Sequence, residues 1–431
     1  MSPLDRRQFL TRSAAVLGSA GLGAIVGAVG DAQGRTGTSL GEAGAAAQRQ
    51  RTLSEELARR VSFDGEHQAG IVDAAGARPP AQASFVALDS IAPTRSTLAD
   101  ALQSLSERAR ALTRGDTVGE QEIDDPPPDS GILGPQDSPD ELTVTIAFGA
   151  SLFDGRYGLD AQRPRHLTAM PNFPNDDLDP ARSHGDVLVQ VCAGQRDTVV
   201  HTVRELMRAT VGHLTPRWKI DGFQSAERGP SPHNSPRNLF AFRDGTANPD
   251  MTDSDLMNQL IWIDPSSSEP AWTHGGTYQV VRTIRMHVEF WDRVGMFEQQ
   301  NMIGRDRVTG APLGGSEEFE DPRYDLDPHG KRIPLDAHIR LANPRTPQTA
   351  DQRLLRRGYN YDRGLDEAGD LDQGLVFVAF NQDIERQFAT IQHRLSEEPM
   401  IDYINPVGGG YFFAPRGAAG RGDWVGSGLF A

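Results

Sequence analysis

A rhythm of apolar runs that occurs twice constrains the fold more than any other feature of the sequence. Residues 83–89 (Ala-Ser-Phe-Val-Ala-Leu-Asp) read as a strand. The amphipathic stretch 94–113 reads as a helix that Thr94 or Ser96 can cap. Strands follow at 142–148 and 186–193, then a helix over about 196–210 and a last strand at 218–223. That order is β-α-β-β-α-β, the ferredoxin-like pattern. It restarts after a Pro/Ser-rich joint at 230–236, with strands at 278–287 and 375–380 and helices at 290–303 and 383–395. No sequence repeat links the halves, so the duplication is one of pattern. The domains are then 63–230 and 231–431. Segment 31–62, rich in Gly, Ala, Gln and Arg, is a linker with room for a loose helix. The polar inserts 304–335 and 342–353 belong on the surface near the site.

Composition narrows the chemistry. The net charge of -16 argues against nucleic acid or an anionic membrane as partner. Only Lys219 and Lys331 are lysines, and neither sits in a phosphate loop, which leaves no Walker site and little room for Schiff-base chemistry. Cys192, the one cysteine, lies in the apolar run 187–193 and reads as a buried strand residue. A single thiol builds no intrachain disulfide, iron–sulfur cluster or covalent c-type haem.

The N-terminus reads as an export leader. Asp5-Arg6-Arg7-Gln8-Phe9-Leu10 is a twin-arginine word, followed by an Ala/Gly-rich stretch to Gly30, with cleavage expected near 28–32. The alternative, an uncleaved anchor, is poorly served by so many Gly and Ala. Residues 1–30 are therefore read as a signal peptide for a protein delivered folded to the periplasm or the outer, cell-wall side, with no stable membrane anchor after cleavage.

Three stretches carry the chemistry. Phe240-Ala241-Phe242-Arg243-Asp244-Gly245-Thr246-Ala247-Asn248-Pro249 holds a carboxylate, and Asp336-Ala337-His338-Ile339-Arg340-Leu341-Ala342-Asn343-Pro344 an imidazole. Leu354-Leu355-Arg356-Arg357-Gly358-Tyr359-Asn360-Tyr361 holds a guanidinium. Together they supply an iron ligand, a proton shuttle and a cation to stabilise a departing oxygen. Singly each is weak, since Asp-Gly is usually a turn and Arg-Arg usually surface charge.

In order, spacing and flanking words these stretches resemble the dye-decolourising peroxidase family, in its twin-arginine-exported bacterial branch. Further matching words run from Gly65-Glu66-His67-Gln68-Ala69-Gly70-Ile71 through Phe173-Pro174-Asn175-Asp176-Asp177 to Gly408-Gly409-Gly410-Tyr411-Phe412-Phe413. The family's Gly-x-x-Asp-Gly signature has Ala241 at its first position here. If that glycine needs a positive φ, alanine is strained there.

The resemblance implies an α+β fold of two ferredoxin-like domains, with facing antiparallel sheets, outer helices and a barrel-like whole. It implies one non-covalent haem b per chain, held mainly by the second domain, with His338 as proximal iron ligand. Asp383 is the candidate acceptor for the other imidazole nitrogen. On the opposite haem face it places Asp244 as acid–base group and Arg356 as electrostatic stabiliser or propionate partner, with Arg357 as an exposed neighbour. Gly245, Thr246, Ala247, Asn343, Pro344 and Arg345 match haem contacts, Arg345 suiting a propionate, and Leu375 and Phe377 match the apolar pair over the distal face. The implied activity is reduction of H2O2 with organic donors such as dyes and phenolics, bulky ones through a surface radical relay for which Tyr359, Tyr361 and Trp272 are candidates. Two other readings stand beside it: release of iron from haem within a ferrous-iron uptake system, whose components would be partners, and a haem carrier. A homodimer is a further open partner.

Overall fold

The computed structural model describes residues 37–73, 78–116, 124–134, 138–226, 228 and 235–431. The leader at 1–30 lies outside them, as does most of the 230–236 joint. Met1–Thr52 and Leu53–Ala431 are separate units. Helix α1 (Gly37–Leu57) occupies much of the segment read as a linker.

The first half builds as its apolar pattern predicts. Strand β1 (Gln82–Ser90) leads into helix α2 (Arg95–Arg114), then β2 (Thr143–Gly149), β3 (Val187–Ala193), helix α3 (Arg196–Ala209) and β4 (Leu214–Phe223). Thr94 caps α2 by accepting from the Thr97 amide, Thr97 returns the bond, and Gly115 ends the helix in the left-handed conformation. The second half comprises β5 (Thr277–Met286), β6 (Leu355–Arg356), β7 (Tyr359–Leu365), β8 (Leu371–Asn381) and β9 (Ile404–Ala414). The apolar runs did not mark β7 and β9 as strands. β7 is two-sided and polar at its end, and β9 is interrupted by Pro406 and three glycines.

The strand order β5-β9-β2-β3-β1-β4-β7-β8, closed by β5 pairing with β8, makes one antiparallel barrel. Within it, β2-β3-β1-β4 and β9-β5-β8-β7 are two copies of one ferredoxin-like sheet. They face each other across the interior and are stitched by Phe148–Phe413 and Gly149–Phe412 on one side and by Phe223–Asn360 on the other. Phe85, Leu188, Trp218, Val281, Tyr359, Tyr361, Val376 and Phe412 fill the interior. Alternation along each strand sends the other residues outward. In the first half these outward residues, Val86 and Leu88 among them, pack under Leu98, Leu102 and Leu105 of α2. Cys192 is buried, as its apolar run suggests.

The second half is covered differently. The helix expected over 290–303 is broken into Val288–Trp291 and Met296–Ile303, with Gly295 as N-cap of the second piece. The helix expected over 383–395 begins as a π-helical turn, Glu385–Ala389, before the α-helical Thr390–Arg394. The insert 304–335 is more than surface, because Arg305, Glu318, Asp327 and Ile333 are buried. No helix among the described residues is long and apolar enough to cross a membrane.

Candidate active site

Between the outer face of β5 and β8 and these broken coverings lies an open cavity. Its floor is Arg282, Ile284 and Met286 of β5 with Leu375 and Phe377 of β8, and its walls include Asp244, Ala247, His338, Asn343, Arg356, Phe388, Glu398 and Met400. The three sequence stretches thus meet at one place.

His338 opens a five-residue helix, His338–Ala342. Arg394 bonds the carbonyls of Leu341 (2.9 Å) and Ala342 at its far end. Arg340 reaches back to the carbonyls of Asp327 and Ile333 in the insert. The His338 Nδ1 is 2.6 Å from Oε2 of Glu398, whose side chain is buried. Burial pulls the imidazole pKa down, but the Glu398 carboxylate more than offsets this and the net displacement is upward. With Nδ1 engaged, Nε2 is the nitrogen left to bind a ligand, in the tautomer that the carboxylate fixes.

Glu398 corrects the expectation for Asp383. These two acids flank the 385–394 helical segment at opposite ends. The Asp383 carboxylate caps the segment through the Glu385 and Arg386 amides and lies 3.4 Å from His166. A capping aspartate is fixed by its own helix. Glu398, in a turn after the helix, is free to face the imidazole.

Asp244 sits on a loop that the sequence pins tightly. The Asn238 side chain accepts from the Phe240 and Phe242 amides, and the chain doubles back so that Asn238 donates to the Phe242 carbonyl. The reversal places Ala241 at φ 68°, the backbone a glycine adopts freely, so the alanine is strained by about 1 kcal/mol. Buried Glu318 ties down the far side, accepting from Thr246 Oγ1 at 2.8 Å. Asn248 then pairs with Arg356 as a strand would, donating to its carbonyl (2.8 Å) and accepting from its amide (3.0 Å). This fixes the Asp244 loop against β6, and Arg356 Nη1 meets Asp244 Oδ1 at 3.0 Å. Asn238, Asn248, Glu318 and Glu398 were missed as site residues; nothing in a single sequence says which loop partners they meet.

The remaining expected contacts distribute unevenly. Gly245 lines a second cleft that adjoins the cavity and shares Asn238, Asp244, Arg356 and Leu375 with it. Thr246 and Arg345 line a third cleft, together with Asn343, Ala247 and Arg353, while Pro344 is in none of these linings. Arg345 is exposed and 3.8 Å from Asp321. Arg353 spans that cleft and the main cavity. Its Nε is buried without a hydrogen-bond partner among the described residues, and burial, then Arg345, lowers its pKa. An anion delivered there would relieve both arginines.

Arg357 is not an exposed neighbour. It is buried, paired with Asp73, and points into the barrel beside Cys192 and Tyr359, because the chain just past β6 still bonds to Val378 of β8 and successive residues there face opposite ways. Nor are the relay candidates on the surface: Tyr359 and Tyr361 fill the barrel interior, and Trp272 is buried against Phe148, Phe153 and Phe413.

The donor set fits a haem. Among the described residues no group of three or more His, Cys, Asp or Glu could hold a bare ion. An iron at His338 would therefore bring its other ligands with it, as a macrocycle does. The apolar floor suits a flat ring, and the unsatisfied Arg353 suits a carboxylate on its edge.

The fold agrees with the comparisons. Family models described as Dyp-type peroxidase match in both parts, N-terminal over residues 68–224 and C-terminal over 235–419. The chain belongs to the Dyp-type peroxidase family. It is 47% identical over 383 residues to the deferrochelatase of Escherichia coli strain K12, covering 88% of this chain and 89% of that protein. The deferrochelatase of Yersinia pestis is 45% identical over 378 residues, covering 87% and 86%. Among solved structures, a Streptomyces coelicolor Dyp-type peroxidase matches with TM-score 0.78 at 32% identity, covering 88% of this chain and 98% of that one. One from Cellulomonas bogoriensis matches with 0.76 at 36%, covering 87% and 99%.

Proposed function

We propose that this protein is an exported haem b peroxidase that reduces H2O2 and oxidises organic donors, with His338 holding the iron and Asp244 and Arg356 handling the peroxide. The observation that carries it is the convergence on one cavity of two pairs, His338–Glu398 and Asp244–Arg356. Bound haem supplies the redox-active iron. The protein supplies the rest. Glu398 holds the His338 proton at Nδ1 and leaves Nε2 as the ligand atom. The Asp244 carboxylate takes a proton from H2O2 and returns it to the departing oxygen, a task worth roughly 10²–10⁴-fold for a well-placed group. The Arg356 guanidinium, permanently charged and paired with Asp244 on a backbone that Asn248 holds, stabilises the negative charge on that oxygen. Leu375, Phe377, Ile284 and Met286 make the floor apolar, and Arg353 and Arg345 would receive the propionates. The test is to purify the mature protein, quantify haem, and measure H2O2 consumption and dye oxidation; no haem and no turnover would sink the reading.

A second reading is favoured by the 47% identity to a protein named deferrochelatase: iron release from haem, in partnership with an iron-uptake system. Incubation with haem, scored for iron-free porphyrin with the ring intact, decides it. Export rests on Arg6 and Arg7. Replacing both by lysine and fractionating cells should trap the protein inside, and unchanged delivery would refute that route.

A further inference from the structure

The cavity carries one kind of side chain that an apolar lining does not require. Ile284, Leu375 and Phe377 are hydrocarbons, but Met286 of β5 and Met400 of the Pro399–Tyr403 turn line the same space with thioethers. Both are buried, Met286 3% and Met400 6% exposed, and both belong to one packed cluster with Leu375 and with Phe240 and Phe242 of the Asp244 loop. The fold brings them together. Met286 pairs with Ile404 across β5 and β9, and the turn that holds Met400 leads directly into Ile404. The Asn175 side chain anchors that turn, donating to the Ile401 and Ile404 carbonyls at 3.2 and 2.7 Å. Leucine fills nearly the volume of methionine. What methionine adds is a polarisable sulfur that oxidants convert to a sulfoxide. Trp291 lies in the same cluster, and its Nε1 is buried without a hydrogen-bond partner among the described residues. A sulfoxide oxygen can accept from that group far better than a thioether sulfur can. Met170 and Met257 are as deeply buried but belong to other clusters and line no part of the cavity, while Met296 is 48% exposed.

We infer that Met286 and Met400 are sacrificial oxidation sites, which take oxygen from H2O2 when no organic donor is present and so spare the haem. The inference rests on the peroxidase reading, which supplies H2O2 as oxidant and brings it to Asp244 and Arg356 on the wall of the same cavity. The step balances without a further reagent. The O–O bond breaks, one oxygen forms the new S–O bond, and the other leaves as water with both protons. The sulfur loses two electrons and the peroxide gains two. Each methionine therefore disposes of one H2O2. Burial keeps both sulfurs from peroxide in bulk solution, so their oxidation depends on chemistry inside the cavity, whereas exposed Met296 is open to bulk peroxide. Methionine sulfoxide is reversible by enzymatic reduction, and a reductase of that class would restore the site.

The test titrates the haem-loaded protein with H2O2 in the absence of donor, recording the Soret band at each addition and mapping oxidised residues by digestion and mass spectrometry. The expected result is a gain of one oxygen at Met286 and at Met400 in the first equivalents, with Met170 and Met257 unmodified. Guaiacol added beforehand should suppress it. Asp244→Asn should lose it, while surface Met296 is oxidised as in wild type. With both Met286→Leu and Met400→Leu, substitutions that keep volume, loss of the Soret band should begin about two equivalents of H2O2 earlier, one for each missing sulfur. Peroxide consumption that leaves Met286 and Met400 unmodified, or an unchanged onset of Soret loss in the double variant, overturns the inference alone. So does wild-type oxidation of both in Asp244→Asn, since bulk peroxide would then be the agent. A wild-type protein that consumes no peroxide overturns the peroxidase reading and this inference with it.

Discussion

The two halves of the barrel share a topology, but the cavity that gathers the candidate site residues lies on the second. In the first half, α2 spans 20 residues and α3 spans 14, and together they seal the outer face of the sheet with Leu98, Leu102, Leu105 and Leu206. In the second half, the corresponding crossover from β5 to β6 and β7 runs through short broken helices and the 304–353 region. The helix after β8 starts with a π turn. A sealed face stores stability, whereas an interrupted cover leaves outward residues of β5 and β8 without partners, and those residues become a binding floor. The π turn belongs to this difference, since such turns recur at functional sites. Its Gln387 bonds the Arg353 carbonyl, and Phe388 lines the cavity.

The comparison can be broken by experiment. His338→Ala should abolish haem binding and turnover while the far-ultraviolet circular dichroism stays native. A retained five-coordinate haem spectrum would move the ligand to another histidine. Arg356→Leu should slow the reaction with peroxide by roughly 10²–10³-fold, and Asp244→Asn should slow it comparably, with haem content preserved in both. Rapid-mixing kinetics with peroxide check this, and a wild-type rate in Asp244→Asn would hand the proton transfer to another group. In the sealed half, Leu105→Ala should cost about 2–5 kcal/mol of stability yet leave haem content and turnover per folded molecule unchanged. If it empties the cavity instead, the halves are not independent in role.

Smaller effects sharpen the contrast at the two acids that flank the 385–394 segment. Glu398→Gln should weaken haem retention or activity by roughly 10–100-fold, and Asp383→Asn should leave both near wild type. Equal losses, seen by haem titration, would return the role of imidazole acceptor to Asp383. Ala241→Gly should raise stability by about 1 kcal/mol by removing left-handed strain. A fall in denaturation midpoint would mean that the Ala241 methyl contributes more by packing than its backbone loses.

The apolar periods of β1, α2, β2, β3 and α3 determined those elements, because each buries one continuous face and therefore repeats at its own period. The words around Asp244, His338 and Arg356 likewise picked out side chains that the structure gathers at one cavity, since their chemistry depends on residue type. Side-chain direction and long-range partnership were decided only in three dimensions. Arg356 and Arg357 are adjacent and equally charged, yet one faces the cavity and the other is buried in the barrel, since strand residues alternate and only the closed sheet defines an inside. Asp383 was the expected partner of His338, and only the fold, by holding it at the cap of the helical segment, leaves that place to Glu398 at the other end. Tyr359, Tyr361 and Trp272 are a further case: residue type made each a candidate for a surface role, and only the closed barrel and its packing show that all three are enclosed.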